Sequence, residues 1–385
     1  MLIAGEASGD MLAAELVSAL LAASEQSEDG RAPKFFGAGG PEMAAAEVEL
    51  AFDMTRHSVI GIPTVRQYFT LRRLFNQLLA LAIERKPDAV IGVDFGGFNL
   101  RLGHAIKQYV RNNPFLKWDP KIVQFISPQV WASRPGRAKQ LEADYDLVLS
   151  IFPFEKAWYA QRVPELRVDF VGHPMIGRYD SVGTRCSASA DARQRIPTIL
   201  LLPGSRVDEL RRHLPVMLGA LELIRGKLPS AKAKMILPNE GLKELAEKLS
   251  ATESNVEIQI SYLSGALAEA DLAIASTGTV TMECAFLGVP TVTLYKTSWF
   301  NWEIAKRLVT VKWATMPNIL AKDEVFPEFI QSAATPENIA GAALELLQNE
   351  SRRAQIKRRL AEVVLTLGEP GASARAATAI LSLFS

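Results

Sequence analysis

Short apolar runs that alternate with amphipathic segments are the feature that most restricts the folds open to this chain. In the first half, the apolar runs Ala89–Val93 and Ile122–Ile126 flank a segment of helical period at Leu100–Arg111. The same alternation returns in the second half, for example at Thr198–Leu202 and Leu272–Ala275. Strands that alternate with helices build βαβ units around a parallel sheet. The sequence therefore predicts two α/β domains, each with a doubly wound parallel sheet.

The length of the chain also favours two domains, because one hydrophobic core stops growing beyond about 250–300 residues and the chain has 385. A stretch of small and polar residues without regular period, at 183–197, is interpreted as the linker. The predicted domains are 1–182 and 198–368. Residues 369–385 are predicted to form a last helix that returns to the first domain or is exchanged between subunits, so the oligomeric state stays open.

Composition limits the partners and the location of the protein. Basic and acidic residues nearly balance, with a net charge of +1, so no overall field attracts nucleic acid. Cys186 and Cys284 match no zinc, haem or redox spacing, which is typical of a reducing compartment. Apolar stretches such as Met11–Ala23 are interrupted by charge, and the first residues have no basic start, so neither a membrane-spanning helix nor a signal peptide is expected. We expect a cytoplasmic protein whose membrane contact, if it has one, is peripheral.

The loop after the first predicted strand, Ala4–Asp10, contains two glycines and opens a helix. Since ligands bind beyond the carboxyl ends of strands in open α/β sheets, this is a candidate binding loop. Two acids where a pyrophosphate would lie argue against a dinucleotide and favour a ligand rich in hydroxyl groups. Its candidate residues are Gly5, Glu6, Ser8 and Asp10. A simpler alternative is that Ser8 or Asp10 only caps the helix.

A single carboxylate, Asp94, ends the predicted strand Ala89–Val93 and is followed by a glycine-containing turn. A carboxylate at this end of a strand faces the ligand and can take a proton from an attacking hydroxyl group. Asp94 is therefore the candidate general base. The alternative is an aspartate that caps the following helix.

A loop in the second half, Gly204-Ser205-Arg206, leads from a strand into a helix. Ser205 and Asp208 fit a capping box, and the amides at the start of the helix would attract phosphate oxygens. The guanidinium of Arg206 can bind phosphate in a bidentate way and offset the charge of a departing nucleotide. The alternative is a surface ion pair between Arg206 and Asp208 or Glu209.

A second loop of this kind, Ser276-Thr277-Gly278-Thr279, follows the strand Leu272–Ala275. Its amides and hydroxyl groups are candidate phosphate ligands. Glu283 follows Thr279 by four residues, about one helical turn, so both can face one ligand, and a carboxylate suits a ribose diol. A helix cap with a buried polar network is the alternative.

Eight segments, taken in order along nearly the whole chain, resemble the lipid-A-disaccharide synthase family. The resemblance is carried by AGEASGD at Ala4–Asp10, GAGGPEM at Gly37–Met43, ISPQVWASRPGR at Ile126–Arg137, FPFEKAWY at Phe152–Tyr159, VGHPM at Val171–Met175, LLPGSR at Leu201–Arg206, STGTVTMEC at Ser276–Cys284 and MPNILA at Met316–Ala321.

This resemblance implies a hexosyltransferase of the GT-B type, with two Rossmann-like domains facing a cleft and with no nicotinamide or required metal. It implies inverting transfer of 2,3-diacylglucosamine from its UDP donor to the 6-hydroxyl of 2,3-diacylglucosamine 1-phosphate (lipid X). The products are the β-1,6-linked disaccharide phosphate and UDP. The setting is lipid A and lipopolysaccharide biosynthesis at the cytoplasmic face of the inner membrane of a Gram-negative bacterium.

The resemblance also assigns roles to residues. Asp94 matches the family's base, Arg206 its phosphate-binding arginine, Glu283 a ribose-binding carboxylate and Asn318 a polar position near the donor. The loop Ala4–Asp10 is assigned to the acceptor side. His173 is a further candidate there, because it follows a strand end and histidine titrates near neutral pH, while a structural histidine is the more common alternative.

Two positions depart from the family's pattern. Gly97 replaces a second carboxylate, which leaves Asp94 as the only acid at this strand end, and Ser133 replaces a second tryptophan.

Acylated substrates require an apolar surface, and one segment mixes apolar and basic side chains in the manner of a shallow membrane contact. Its candidate residues are Val59, Ile60, Ile62, Val65, Arg66, Phe69, Arg72 and Arg73. An ordinary amphipathic core helix explains the same pattern. Two other functions also stay open from sequence: a UDP-sugar 2-epimerase, and a catalytically silent protein that binds nucleotide sugars or lipids.

Overall fold

The structure is a computed structural model, and its described residues divide into two units. It describes residues 1–25, 33–55, 65–178, 196–250 and 255–384, of which 65–68 are described without side chains. Unit 1 comprises Met1–Gly177 with Leu367–Ser385, and unit 2 comprises Arg178–Thr366. Most of the predicted linker, 183–195, lies outside the described residues, so its role stays a prediction.

Unit 1 is built on a seven-stranded parallel sheet in the order β3-β2-β1-β4-β5-β6-β7. Its strands are β1 Leu2–Ala4, β2 Phe36–Gly39, β3 Glu49–Asp53, β4 Ala89–Val93, β5 Lys121–Phe125, β6 Leu147–Ser150 and β7 Val168–Phe170. Its helices up to Gly177 are α1 Ala7–Glu25, α2 Pro41–Ala45, α3 Val65–Arg85, α4 Gly96–Asn112, α5 Val130–Ser133, α6 Ala138–Asp144 and α7 Pro153–Ala160. The central strands are apolar because helices cover both faces of the sheet.

Unit 2 repeats this plan with a six-stranded parallel sheet in the order β10-β9-β8-β11-β12-β13. Its strands are β8 Thr198–Leu202, β9 Lys232–Leu237, β10 Glu257–Ile260, β11 Leu272–Ser276, β12 Thr291–Tyr295 and β13 Glu328–Ile330. Its helices are α8 Val207–Lys227, α9 Glu240–Ser250, α10 Leu263–Glu269, α11 Val280–Phe286, α12 Trp299–Leu308, α13 Met316–Ala321, α14 Pro336–Gln348 and α15 Glu350–Leu365. The predicted fold class, two doubly wound parallel sheets, is confirmed.

The last helix, α16 Ala372–Leu381, belongs to unit 1 and packs on α1. Arg375 also joins α16 to the residue after β7, because its Nε donates to the carbonyl oxygen of Val171 at 2.8 Å. By length and composition α1 could cross a membrane. In the structure, however, its apolar residues Leu12, Leu16 and Leu20 are buried, so α1 is a core helix of unit 1.

The strand order of each sheet reverses at one point, between β1 and β4 in unit 1 and between β8 and β11 in unit 2. At such a switch point the two neighbouring crossovers run in opposite directions and leave a crevice beyond the carboxyl ends of the strands. The loops that follow β1, β4, β8 and β11 are the four loops that the sequence selected as candidate sites. The fold therefore places candidate chemistry at the switch point of each unit.

Candidate active sites

Asp94 lies directly after β4, in a turn whose backbone is unusual. Asp94 and Phe95 both have positive φ, +49° and +46°, which residues other than glycine rarely adopt. The N–H group of Asp94 donates to the carbonyl oxygen of Phe125 at 2.9 Å. Its own carbonyl oxygen accepts bonds from Asn99 Nδ2 at 2.8 Å and Gln124 Nε2 at 2.9 Å. Two buried amides thus hold a strained turn, a combination found at functional sites.

The Asp94 carboxyl group is partly buried, and this burial raises its pKa above the usual range, while a hydrogen bond from the Phe95 amide opposes the shift. A general base works best with a pKa near the working pH, so the shift suits the predicted role. The alternative that Asp94 caps the next helix is wrong, because the N-cap residue of α4 is Phe95 and it makes no side-chain cap bond.

The loop after β1 lies beside Asp94. A methyl group built on Gly9 would lie 3.8 Å from the Cβ atom of Asp94, and one built on Gly5 would lie 2.4 Å from the Phe95 ring. Gly5 is therefore required by the packing of Phe95. Ser8 is exposed in the first turn of α1 and Glu6 is half-buried before it. Both side chains belong to the same edge of the sheet as the candidate base.

Asp10 joins the start of α1 to the start of α2. Its side chain is buried, and its carboxylate accepts backbone N–H bonds from Gly40 at 2.7 Å, Glu42 at 2.9 Å and Met43 at 3.2 Å. These amides belong to the start of α2, so Asp10 caps that helix and does not cap α1. A carboxylate engaged in this way holds the loop at 40–43 in place, and the contact of Asp10 with the acceptor stays a prediction.

His173 follows β7 and is nearly buried, with 6% of its surface exposed. Its Nδ1 accepts a bond from the amide of Met175 at 3.3 Å, which leaves Nε2 as the protonated nitrogen. Its ring lies against Phe152, with centroids 5.6 Å apart. His173 is thus placed at the carboxyl edge of the sheet, next to the loop that follows β6.

Glu155 is a residue that the sequence did not single out. It is fully buried on α7, where its oxygens accept bonds from Trp131 Nε1 at 2.9 Å and from the Phe152 amide at 3.2 Å. Burial is the largest effect on its carboxyl group and raises the pKa to about 7, although these bonds and one from Ser127 oppose it. Its position two residues after Pro153, in the first turn of a helix, is a helix-start signal that could have drawn attention to Glu155.

The predicted membrane patch is only partly described. Val59, Ile60 and Ile62 lie outside the described residues, as do the side chains of Val65 and Arg66. Further along α3, Phe69 is 61% exposed and lines a shallow surface concavity with Arg72 and Arg73. The opposite face of α3 carries Leu74 and Leu78 into the core. The described part of α3 is amphipathic, with Phe69, Arg72 and Arg73 on its exposed side.

In unit 2, the loop after β8 is organised by Glu209. Its Oε2 accepts a bond from the Ser205 amide at 3.3 Å, and its Oε1 pairs with the guanidinium of Arg206. A methyl group on Gly204, where φ is +117°, would lie 2.4 Å from Glu209 Oε2. The predicted capping box of Ser205 and Asp208 is wrong, since the N-cap residue of α8 is Arg206 and it makes no side-chain cap bond.

The predicted ion pair alternative for Arg206 is thus present, but it does not remove Arg206 from the site. Its side chain is 39% exposed, and a guanidinium has five N–H donors, so a carboxylate partner leaves donors for a phosphate. The pair also fixes the direction of the guanidinium at the start of α8. Glu209 is therefore a positioning residue for Arg206.

His213, which the sequence did not single out, connects two loops of this edge. Its ring is fully buried, with Nδ1 2.8 Å from the carbonyl oxygen of Pro203 and Nε2 accepting a bond from the Lys296 amide at 3.0 Å. Because a carbonyl group only accepts, Nδ1 carries the proton and the ring is neutral. Burial lowers its pKa, which preserves this state. His213 therefore ties the loop before Arg206 to the end of β12.

The loop after β11 leads from a strand into a helix, as predicted. Ser276 is buried, whereas Gly278 and Thr279 are exposed. The amide of Thr277 donates to the carbonyl oxygen of Leu294 at 3.2 Å, which fixes the loop against β12. Thr279 is the N-cap residue of α11 but makes no side-chain cap bond, and Glu283 lies half-buried one turn further. The capping alternative fails for Thr279, which keeps its hydroxyl at the candidate site.

Asn318 has a structural role in unit 2. It is fully buried on α13, and its Nδ2 donates to Phe326 O and Glu328 Oε1, both at 2.8 Å. Its Oδ1 accepts bonds from the amides of Val325 at 2.9 Å and Phe326 at 2.8 Å. All four hydrogen bonds of this amide join α13 to the segment that leads into β13, and the position of Asn318 near the donor stays a prediction.

Within the described ranges, no group of three His, Cys, Asp or Glu side chains is close enough to hold a metal ion. Anion binding at the described sites would depend on Arg206 and on the amides at the starts of α8 and α11.

Solved structures of low sequence identity share this fold. MurG from Acinetobacter baumannii is 19% identical, with a TM-score of 0.57 over 99% of this chain and 98% of its own. A UDP-GlcNAc 2-epimerase from Neisseria meningitidis, solved with UDP-GlcNAc, is 12% identical with a TM-score of 0.54 over 97% of each chain. At these identities the similarity shows the fold alone, and it includes both transferases and epimerases.

Sequence comparison is more specific. The family described as lipid-A-disaccharide synthetase matches residues 1–383. The lipid-A-disaccharide synthase of Trichlorobacter lovleyi is 36% identical over 100% of this chain and 97% of its own length. That of Myxococcus xanthus is 34% identical over the same shares of the two chains. The chain therefore belongs to the lipid-A-disaccharide synthase family of glycosyltransferases.

Proposed function

We propose that this chain transfers 2,3-diacylglucosamine from UDP-2,3-diacylglucosamine to the 6-hydroxyl group of lipid X. The products are the β-1,6-linked lipid A disaccharide 1-phosphate and UDP. The observation that carries the proposal is Asp94, a partly buried carboxylate of raised pKa at the switch point of unit 1. The backbone carbonyl oxygen of Asp94 is held by Asn99 and Gln124, and the chain belongs to a family of glycosyltransferases. This arrangement favours a base that removes the proton of an acceptor hydroxyl group.

The proposed reaction is one inverting displacement. The acceptor oxygen attacks the anomeric carbon of the donor sugar while Asp94 takes its proton, and the bond between that carbon and the UDP oxygen breaks with its electrons on UDP. Arg206 and the amides at the starts of α8 and α11 would stabilise the charge on the departing UDP. Thr279 and Glu283 would bind the uridine ribose. Glu6, Ser8 and His173 stay proposed contacts of the acceptor.

We further propose that the protein works in the cytoplasm at the inner-membrane surface, where both acylated substrates would reside. Phe69, Arg72 and Arg73 support this on the outer face of α3, since an exposed aromatic ring beside basic side chains suits an anionic lipid surface. Flotation with vesicles that contain an anionic lipid tests it. Undiminished binding after Arg72→Glu and Arg73→Glu would count against this face of α3.

The activity itself is tested by incubating the purified protein with the UDP-diacylglucosamine donor, with and without lipid X. Disaccharide phosphate and UDP that appear only when both substrates are present support the transferase. An epimerised donor sugar without acceptor would identify a 2-epimerase, and bound but unchanged donor would identify a silent binding protein. The same incubation in EDTA tests the expectation that no metal is required, because activity should persist.

A further inference from the structure

The helix α12, in unit 2, lies on the protein without burying any of its residues. Trp299 is 75% exposed and Phe300 61%, and Ile304, Leu308 and Val309 are also exposed. Surface helices of globular proteins normally turn their large apolar side chains toward the core. A helix with the opposite pattern marks a surface that interacts with something apolar.

Three of the exposed apolar side chains of α12 lie on one face. Phe300, Ile304 and Leu308 are spaced by four residues and so form a stripe along the helix. Trp302 and Ala305 are half-buried and lie on the other side, toward unit 2. The N-cap Ser298 accepts a bond from the Asn301 amide at 3.2 Å, so the helix is properly started. The exposed stripe therefore belongs to a well-formed helix.

Basic side chains surround the stripe. Lys306 lies 5.9 Å from the centre of the Trp302 ring and pairs with Glu303 at 2.6 Å, and Lys312 lies 4.3 Å from the centre of the Trp313 ring. Residues 299–313 contain three basic residues and one acidic residue, a net charge of +2, while the whole chain has only +1. Positive charge is thus concentrated where aromatic and aliphatic side chains are exposed.

We infer that α12 and the segment to Trp313 form a lipid-binding surface that lies in the interface of an anionic bilayer. The apolar stripe would enter the boundary between head groups and acyl chains, with tryptophan and basic side chains at the level of the head groups. We call this segment, 299–313, the α12 surface. A second copy of the chain is a poorer occupant, because a two-fold contact would place one cluster of +2 against another.

The position of the α12 surface connects it with the candidate donor site. It begins four residues after Tyr295, the last residue of β12. Burial raises the pKa of Tyr295, and the charges of Glu209 and Arg206 act on it more weakly, so this end of β12 lies near that ion pair. His213 fixes the intervening Lys296 to the loop before Arg206. The surface would thus bring lipid close to the loop that holds the donor phosphates. This last step rests on the proposed function, whereas lipid binding by α12 does not.

Vesicle flotation of the full chain tests the α12 surface without any substrate, so its failure is distinct from a failure of the proposed activity. Vesicles of phosphatidylcholine with phosphatidylglycerol are compared with pure phosphatidylcholine. The variant Phe300→Ser/Ile304→Ser/Leu308→Ser should bind the anionic vesicles at least about tenfold more weakly. Arg307→Glu/Lys312→Glu should lose binding to anionic vesicles while weak binding to neutral ones is unchanged.

The matched control is Phe115→Ser/Leu365→Ser, which removes two exposed apolar side chains elsewhere, 97% and 80% exposed. It should bind vesicles like the unchanged protein, and equal thermal melts of all variants show that each has folded. Unchanged binding by the α12 triple variant would overturn the inference. So would light scattering that shows a dimer dissociated by this variant without an effect on vesicle binding, since α12 would then be a subunit contact.

Discussion

The two units use the same strand order and carry opposite charges on the two sides of its switch point. Asp94 follows β4 in unit 1, whereas Arg206 follows β8, the counterpart of β1, in unit 2. β3-β2-β1-β4-β5-β6 of unit 1 corresponds, strand by strand, to β10-β9-β8-β11-β12-β13 of unit 2. At the switch point, unit 1 presents Asp94, whereas unit 2 presents Arg206 with its partner Glu209. The sheet decides where a site lies, and the side chains of its loops decide which chemistry occurs there. An acid suits the removal of a proton and a guanidinium suits a phosphate.

The means of fixing these side chains also differ. In unit 1 the backbone of Asp94 is held in a strained conformation by buried amides from Asn99 and Gln124. In unit 2 the side chain of Arg206 is held by a carboxylate of its own helix. A base must meet one proton at one place, while a phosphate has several oxygens and tolerates a less rigid partner. If this division is correct, changes in the two loops should affect different steps.

The largest expected effect comes from Asp94. Asp94→Asn should lower kcat at least about a hundredfold, the lower range for the loss of a general base, and leave UDP affinity unchanged. Initial rates and calorimetric titration with UDP measure the two quantities. Asp88→Asn, which changes a carboxylate at the other end of β4, is the control and should have nearly normal rates. A rate close to normal in Asp94→Asn would remove Asp94 from the role and end the contrast between the units.

Arg206 should show the opposite pattern. Arg206→Ala should weaken UDP binding by about tenfold or more, because it removes a charge-assisted contact and leaves the negative charge of Glu209 beside the phosphates. Arg211→Ala, an exposed arginine one turn further along α8, is the matched control. Calorimetry with UDP separates them. Equal UDP affinity in all three proteins would mean that the pair with Glu209 is the only role of Arg206.

Some parts of the fold and of the sites were accessible from sequence because they depend on local pattern. The apolar central strands and the four loops at the switch points were predicted in this way. The edge strands β3 and β13 were missed, since their residues are half-buried or exposed and their identity depends on one distant neighbour.

The structural roles of Asp10 and Asn318 were missed for a related reason. The partners of Asp10 lie about thirty residues away, and those of Asn318 are backbone groups and a glutamate of the following loop and strand. A conspicuous polar residue in a loop looks the same in sequence whether it binds a ligand or another part of the chain. His213 and Glu155 were missed because burial, which the local sequence does not reveal, determines what they do.

Glu155, on α7 of unit 1, predicts a dependence of stability on pH. Its folded pKa of about 7 exceeds the usual value of 4.5. Between these two values the unfolded chain has lost the proton that the folded chain keeps, so stability falls as pH rises from about 4.5 to about 7. Glu155→Gln keeps an acceptor for Trp131 and should remove this fall, which is at most about 3 kcal/mol.

Denaturant unfolding at pH 5 and pH 8, followed by tryptophan fluorescence, measures this change. Glu84→Gln, an exposed glutamate on α3, should keep the pH dependence of the unchanged protein. The same difference between pH 5 and pH 8 in Glu155→Gln as in the unchanged protein would show that the carboxyl group is ionised in the folded state at both pH values.

The smallest expected effect comes from Gly97, the position at which the resemblance to the family predicts a second acid. A Cβ atom on Gly97 would have no neighbour within 4 Å, so an aspartate fits there without displacing anything. Its charge, near Asp94 and at the start of α4, should raise the pKa of Asp94 further and move the acid limb of the kcat/KM profile upward by less than about one unit. Gly97→Asn, of the same shape without the charge, should leave the acid limb of the kcat/KM profile in place.

We expect kcat at the optimum pH to change less than about threefold in both Gly97 variants, because Asp94 alone supplies the base. A tenfold gain in Gly97→Asp and none in Gly97→Asn would instead mean that the reaction uses two acids, and that unit 1 of this chain is an incomplete version of the site.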